Sequence, residues 1–118
     1  MSSGISVATM FLEAIKRKDL SQAPLAENVS YQGPLSGESI RGRDHVVRFL
    51  SVYLPIINNV QVVRHIADGD FVATMWQADT SFGPISLVYV LHVQMDAIAE
   101  IQAFYDPRGF LERLGASA

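Results

Sequence analysis

Asp79 and His92 are the two residues whose types best suit acid–base chemistry in this chain. A carboxyl and an imidazole that converge in an apolar space can act as base and acid, because burial raises the carboxyl pKa toward neutral pH. Gln77, Ser86 and Tyr105 fall on the same expected sheet face and would add hydrogen bonds. Plainer readings stand beside these. Asp79 adjoins a loop, where a carboxylate is solvated, and His92 also suits a satisfied core or interface histidine. Trp76 could stack on a ligand or fill a core. Tyr31 and Tyr53 could turn their hydroxyls toward the same space or pack as core. His45 sits beside Asp44 in the first turn of a helix and is expected to be exposed. His65 falls on the opposite face from His92, which argues against a two-histidine metal site. No His, Asp or Glu spacing matches a metal motif and there is no usual phosphate loop, so neither metal nor cofactor is expected.

The elements that must position these groups follow from periodicity. Val7, Met10, Phe11, Ala14 and Ile15 recur at three-and-four spacing, which predicts a helix over residues 7–18. Residues 28–32 alternate as a brief strand. Gly33-Pro34, Ser36-Gly37 and Arg41-Gly42 then punctuate a loop with a small strand near residues 39–41. Asp44 can cap a second helix with Val46, Val47, Phe49, Leu50, Tyr53 and Leu54 on its apolar face, and Pro55 ends or bends it. Four strands follow, over residues 60–67, 71–80, 85–95 and 98–105, joined at Asp68-Gly69, at Ser81-Phe82-Gly83-Pro84 and at Asp96-Ala97. Asp106-Pro107 stops the last strand, and Phe110, Leu111 and Leu114 before Gly115 predict a short closing helix. Helices first and a meander second make an α+β domain, with helices packed on one face of a curved antiparallel sheet.

Cross-strand parity sorts the side chains. With two-residue turns and a four-residue Pro84 loop, one face holds Ala73, Met75, Gln77, Asp79, Ser86, Val88, Val90, His92, Ile101, Ala103 and Tyr105. The other holds Val63, His65, Thr74, Trp76, Tyr89, Leu91, Val93, Gln102 and Phe104. Both faces are apolar, yet the helices cover only one. The face with Trp76, Tyr89, Leu91 and Phe104 is therefore expected to be the outer one and to bury itself in a homodimer.

Composition narrows the class. The chain has 118 residues, 49% of them apolar and 18% charged, which predicts one globular domain over residues 1–118. A net charge of −3 without a basic run argues against nucleic acid and anionic membranes as partners. There is no cysteine, so disulfide and thiolate chemistry is excluded. The first residues do not resemble a signal peptide and no apolar run reaches membrane length, so a cytoplasmic location is the default expectation.

The order of elements, the Gly42-Arg43-Asp44 lead-in to the second helix, and Glu100-Ile101-Gln102-Ala103-Phe104-Tyr105-Asp106-Pro107 before Phe110-Leu111-Glu112-Arg113-Leu114-Gly115 resemble the NTF2-like superfamily, especially its SnoaL-like and ketosteroid-isomerase-like branch. That resemblance implies a cystatin-like cone with a pocket between the helices and the concave sheet face. It also invites a comparison of catalytic positions. Ketosteroid isomerase uses a Tyr in its first helix, an Asp base before a Pro and a protonated Asp on a central strand; the similar positions here are Phe11, Gly33 and Val90 or Leu91. The acid that polyketide cyclases and limonene epoxide hydrolase carry on the last strand falls at Ala103, and the hydrolase's Arg-x-Asp pair falls at Gln77 and Asp79. None of Phe11, Gly33, Val90 and Ala103 can move a proton.

Two expectations result. In the first, a small apolar organic molecule lies against Phe11, Tyr31, Tyr53, Met75, Gln77, Val90, Ala103 and Tyr105, and Asp79 with His92 or Tyr105 performs cofactor-free isomerisation, cyclisation or epoxide opening. In the second, the domain only binds a ligand or dimerises. The non-ionisable residues at 33, 90 and 103 favour the second over the family's well-known reactions.

Overall fold

A computed structural model describes residues 3–115, with side chains described as far as residue 112. Helix α1 spans Gly4–Lys16 and begins three residues earlier than its apolar stripe, because Ser3 caps it: the Ser6 N–H donates to Ser3 Oγ at 3.0 Å. Its buried stripe, Val7, Phe11, Leu12 and Ile15, docks onto the sheet. Each such side chain removed from water contributes about 1.5–3 kcal/mol before entropy is counted. The chain then forms β1 (Leu25–Gln32), the two-residue β2 (Ile40–Arg41) and α2 (Arg43–Ser51). Asp44 does not cap α2 as expected. Gly42 takes that position at φ 98°, and Asp44 lies in the first turn, where its charge complements the helix dipole.

Strands β3 (Ile57–Asp68), β4 (Phe71–Thr80), β5 (Gly83–Gln94) and β6 (Ala97–Phe104) form the meander, and α3 (Arg108–Gly115) closes the chain. Of the expected apolar face of α3, the Leu114 side chain lies outside the described residues. The sheet order is β2-β1-β6-β5-β4-β3, antiparallel throughout except for β1 against β6. This is the expected curved-sheet cone with helices on one side: α1 lies across β3, β4 and β5, and α2 against β1. Among the described residues no helix is long and apolar enough to cross a membrane.

The face assignment differs from the expected one, and the cause is a single residue. Every hairpin in the meander turns in two residues, including Ser81-Phe82, where Thr80 pairs with Gly83. The last turn is Met95-Asp96 rather than Asp96-Ala97, and both residues have positive φ, 52° and 64°, as a tight hairpin of this hand requires. Ala99 is then left over: Val93 pairs with Ile98 and His92 with Glu100. This β-bulge advances β6 by one residue and reverses its parity relative to β5. Ile98, Ile101 and Ala103 are all buried, at spacings of three and then two. They share the inner face with Val72, Thr74, Trp76 and Ala78 of β4 and Leu87, Tyr89 and Leu91 of β5.

The consequence is a correction on two strands. Ala73, Met75, Gln77, Asp79, Ser86, Val88, Val90 and His92 face outward, whereas Trp76, Tyr89 and Leu91 are core. Phe104 remains on the outer face, as expected, at 55% exposure.

Candidate functional site

The inner face and the helices enclose a cavity of about 40 Å³ near one end of the cone. Aliphatic walls come from Ile15 of α1, Leu50 of α2, Leu54, Ile57 of β3, Ala78 of β4 and Leu87 of β5, and the other six lining residues are aromatic. Tyr31 of β1, Trp76 of β4 and Tyr89 of β5 form the floor; Tyr53, Tyr105 and Phe110 stand around the rim. The rings pack edge to face, Trp76 with Tyr89 at 5.2 Å between centroids and Tyr31 with Tyr89 at 6.5 Å.

Three phenols meet inside. The hydroxyls of Tyr89 and Tyr105 interact with that of Tyr31. Burial, and after it the neighbouring phenols, raises the pKa of Tyr31 and Tyr89 well above the ordinary value, and burial above all pushes Tyr105 up to about 12. All three are neutral near pH 7 and act as hydrogen-bonding groups rather than bases. Small residues make room for them: a Cβ on Gly33 would stand 2.9 Å from Tyr31 Oη and 3.1 Å from Ala103 Cβ. Where the resemblance implies acids at 33 and 103, this chain therefore places the head of a tyrosine. Tyr53 adds a fourth phenol at the rim, and the fifth polar wall group is the Trp76 indole. Trp76 is 2% exposed, and its Nε1 has no hydrogen-bond partner among the described residues.

The expected acid–base pair is not in this cavity. Asp79 is exposed on the outer face, opposite Pro84, and His92 stacks outside on Phe71 with ring centroids 4.5 Å apart. Met75, Gln77 and Val90 go with them, by the same reversal of parity. Of the ligand-contact residues expected, Tyr31, Tyr53 and Tyr105 line the cavity; Phe11 and Ala103 are buried beside it without lining it. Sequence reasoning missed Tyr89 and Phe110 as wall residues and, while it offered Trp76 as a ring that could stack on a ligand, it put Trp76 and Tyr89 on the outer face. The signal for Trp76 and Tyr89 was the apolar spacing Ile98, Ile101, Ala103, which alternation without a bulge cannot produce.

A second polar cluster was also missed. His65 Nδ1 lies 2.8 Å from Thr74 Oγ1 and its Nε2 lies 3.3 Å from Thr9 Oγ1. Thr9 donates its proton to the Ile5 carbonyl at 2.9 Å, so it accepts from Nε2–H, and Nδ1 in turn accepts from Thr74. The network ties α1 to β3 and β4, and burial lowers the pKa of His65. Among the described residues no group of three or more His, Cys, Asp or Glu is placed to hold a metal ion.

Solved structures share this architecture at low identity. An NTF2-like protein of unknown function from Cytophaga hutchinsonii is 16% identical with a TM-score of 0.80, covering 95% of this chain and 97% of its own. A steroid delta-isomerase from Pseudomonas aeruginosa is 20% identical with a TM-score of 0.78, covering 98% of this chain and 88% of its own. A de novo designed protein with a curved β-sheet is 16% identical with a TM-score of 0.82, covering 99% of this chain and 96% of its own. That isomerase, designed and uncharacterised chains share one cone shows how little the fold says about chemistry. No curated protein matches the sequence. The family model for DUF4904, a domain of unknown function, matches residues 3–116, and the chain therefore belongs to that family, built on the NTF2-like fold.

Proposed function

We propose that the protein is a binding module for a small neutral organic molecule, held in the aromatic cavity rather than transformed by acid–base chemistry. One observation carries this reading: every polar side-chain group on the cavity wall, four phenols and one indole, is neutral at physiological pH, while Asp79 and His92 lie on the other side of the sheet. A cavity of this kind recognises shape and a hydrogen-bonding group, and it offers no base to take a proton from carbon. The ketosteroid isomerase-like neighbours share the fold, and neither their reaction nor their ligand is carried over to this chain. The test is thermal unfolding across neutral compounds from single rings to steroids. A ligand present at 100 times its Kd adds about 2.7 kcal/mol to stability. Small members of the panel should raise Tm equally for the native chain and for Asp79→Asn; silence across the whole panel contradicts the reading.

The same proposal includes a homodimer through the outer sheet face. Phe71 is 48% and Phe104 55% exposed there, around the half-buried Met75, Val88 and Val90, and the helices lie on the opposite side. An uncovered apolar patch of this breadth is what a self-complementary interface needs. Of the four residues expected to serve it, Phe104 does, whereas Trp76, Tyr89 and Leu91 belong to the core. A cytoplasmic place of work, in keeping with an acidic, cysteine-free composition, completes the proposal.

A further inference from the structure

Three features of the cavity fit together only if it is the closed form of a larger site. It holds about 40 Å³, whereas an apolar cavity known to take benzene measures about 150 Å³. Its rim is stoppered by one side chain: Phe110, 6% exposed, is wedged edge-on between Tyr53 at 5.6 Å, Phe82 at 5.0 Å and Tyr105 at 5.6 Å. Behind it, Trp76 keeps a buried indole N–H with no partner, a group that costs free energy until something accepts from it.

Local structure shows how the stopper is held. Asp106 Oδ1 accepts from the Arg108 N–H at 3.0 Å, and its carboxylate takes three further bonds from the Arg108 guanidinium, Nε to both oxygens and Nη2 to Oδ2, which sets the start of α3. These groups are exposed, so the clasp contributes little energy. Gly109 lets α3 press onto the β4–β5 turn, since a Cβ there would meet the Phe82 ring at 2.6 Å. Phe110 is thus seated by contacts near the chain's end and by ring packing, and not by any bond into the core.

We infer that the cavity accepts a single-ring neutral molecule bearing a hydrogen-bond acceptor, the acceptor taking the Trp76 indole N–H and the ring taking the space that Phe110 vacates. Phe110 is itself a benzene-sized group resting where the ligand's ring would lie. The acceptor sets the specificity. Water solvates a ketone better than a hydrocarbon of equal size, so a purely apolar pocket prefers the hydrocarbon. A buried unpaired donor reverses that order. The inference rests on the reading of the cavity as a ligand site, and the outcomes below separate the two.

Trp76 is the chain's single tryptophan, so its indole N–H gives one resolvable signal in a nitrogen–proton correlation spectrum. The probes are cyclohexanone and methylcyclohexane, titrated into the native chain, Phe110→Ala and Trp76→Phe. Cyclohexanone should move the indole proton downfield and bind at least about 10-fold tighter than methylcyclohexane. Phe110→Ala should tighten both probes by about 10-fold, and Trp76→Phe, followed by ligand-observed NMR, should erase the preference for the ketone. Phe110→Leu, a shorter stopper that keeps apolar cover, replaces the alanine variant if that chain does not fold. Equal affinity for both probes with a stationary indole signal overturns this inference and leaves the pocket standing. Unchanged affinity in both Phe110 variants overturns the stopper. Binding of neither probe to any folded variant overturns the pocket as well.

Discussion

The two faces of strands β4 and β5 are built from almost equally apolar sequences and do opposite things. Inside are Val72, Thr74, Trp76, Ala78, Leu87, Tyr89 and Leu91, packed under the helices; outside, one residue along each time, are Ala73, Met75, Gln77, Asp79, Ser86, Val88, Val90 and His92. The inner set contains aromatic rings and no charge, and the outer set keeps the carboxylate and the imidazole in reach of water. Hydrophobicity alone does not select between them, because Met75, Val88 and Val90 would serve a core as well as Leu87 does. Volume does. Rings as large as Trp76 and Tyr89 need a deep layer of helix above them, and the outer face has none.

Charge separates the two faces most sharply, so Leu91→Asp has the largest expected effect. Leu91 is fully buried, and an unpaired carboxylate there costs several kcal/mol on top of about 1.5–3 kcal/mol of lost apolar burial, against a typical margin of about 5–15 kcal/mol. Urea unfolding should lose most of its folded baseline; a chain as stable as the native one would show that Leu91 is not core. Deleting Ala99, by contrast, closes the bulge and leaves Val93–Ile98 and His92–Glu100 paired, so the same residues stay inside. Next in size is Val90→Lys, which puts an unpaired charge in the middle of the outer patch. It should weaken self-association by about 100-fold or more while leaving the monomer folded, as read by sedimentation. An unchanged mass would move the proposed interface elsewhere.

Much of this fold is legible in the sequence, and the part that is not has a physical reason. The stripe Val7, Phe11, Ala14, Ile15 and the four runs from residue 60 onward announce helix and strand, because burial on one side imposes a period of 3.6 or 2. The second helix is equally plain; its cap is misread, at Asp44 in place of Gly42, and it ends at Ser51, before Tyr53 and Leu54, which belong to the turn that follows. Parity is another matter. It is transmitted from strand to strand through each turn, so one extra residue inverts everything upstream of it. Reading inward from Ala103 and Tyr105 assigns the final strand properly and then sends Asp79 and His92 to the wrong side. Ala99 is small enough to suit either register, and the trace of the bulge is the three-residue gap between Ile98 and Ile101. The phenol cluster was half visible, since Tyr31, Tyr53 and Tyr105 were candidates from the start, whereas the His65 network joins residues 9, 65 and 74 and leaves no local pattern at all.

Smaller effects sharpen the comparison. Asp79→Asn should change stability by no more than about 0.5 kcal/mol, as surface substitutions do; a loss of several times that would mean the carboxylate is engaged in something the outer face does not show. The weakest effect belongs to pH. His65 titrates below its ordinary 6.5 when folded because burial disfavours the imidazolium, so the unfolded chain binds the proton more readily. Its contribution is intact above pH 6.5, declines as pH falls through that value, and levels off once the folded imidazole is protonated too. His65→Gln should remove this limb from a plot of Tm against pH, and an identical plot for both chains would place His65 in free solvent.

Neighbouring residues on one strand offer the most direct measurement. The chain has no cysteine, so Ala78→Cys and Asp79→Cys each carry a single thiol, one facing the aromatic cavity and one facing water. Under native conditions a thiol reagent should label the Asp79→Cys chain at close to the rate of an unfolded peptide and the Ala78→Cys chain at least about 100-fold more slowly, since the buried thiol reacts only through rare opening. Rapid labelling at 78 with protection at 79 would return the carboxylate to the cavity and contradict the account.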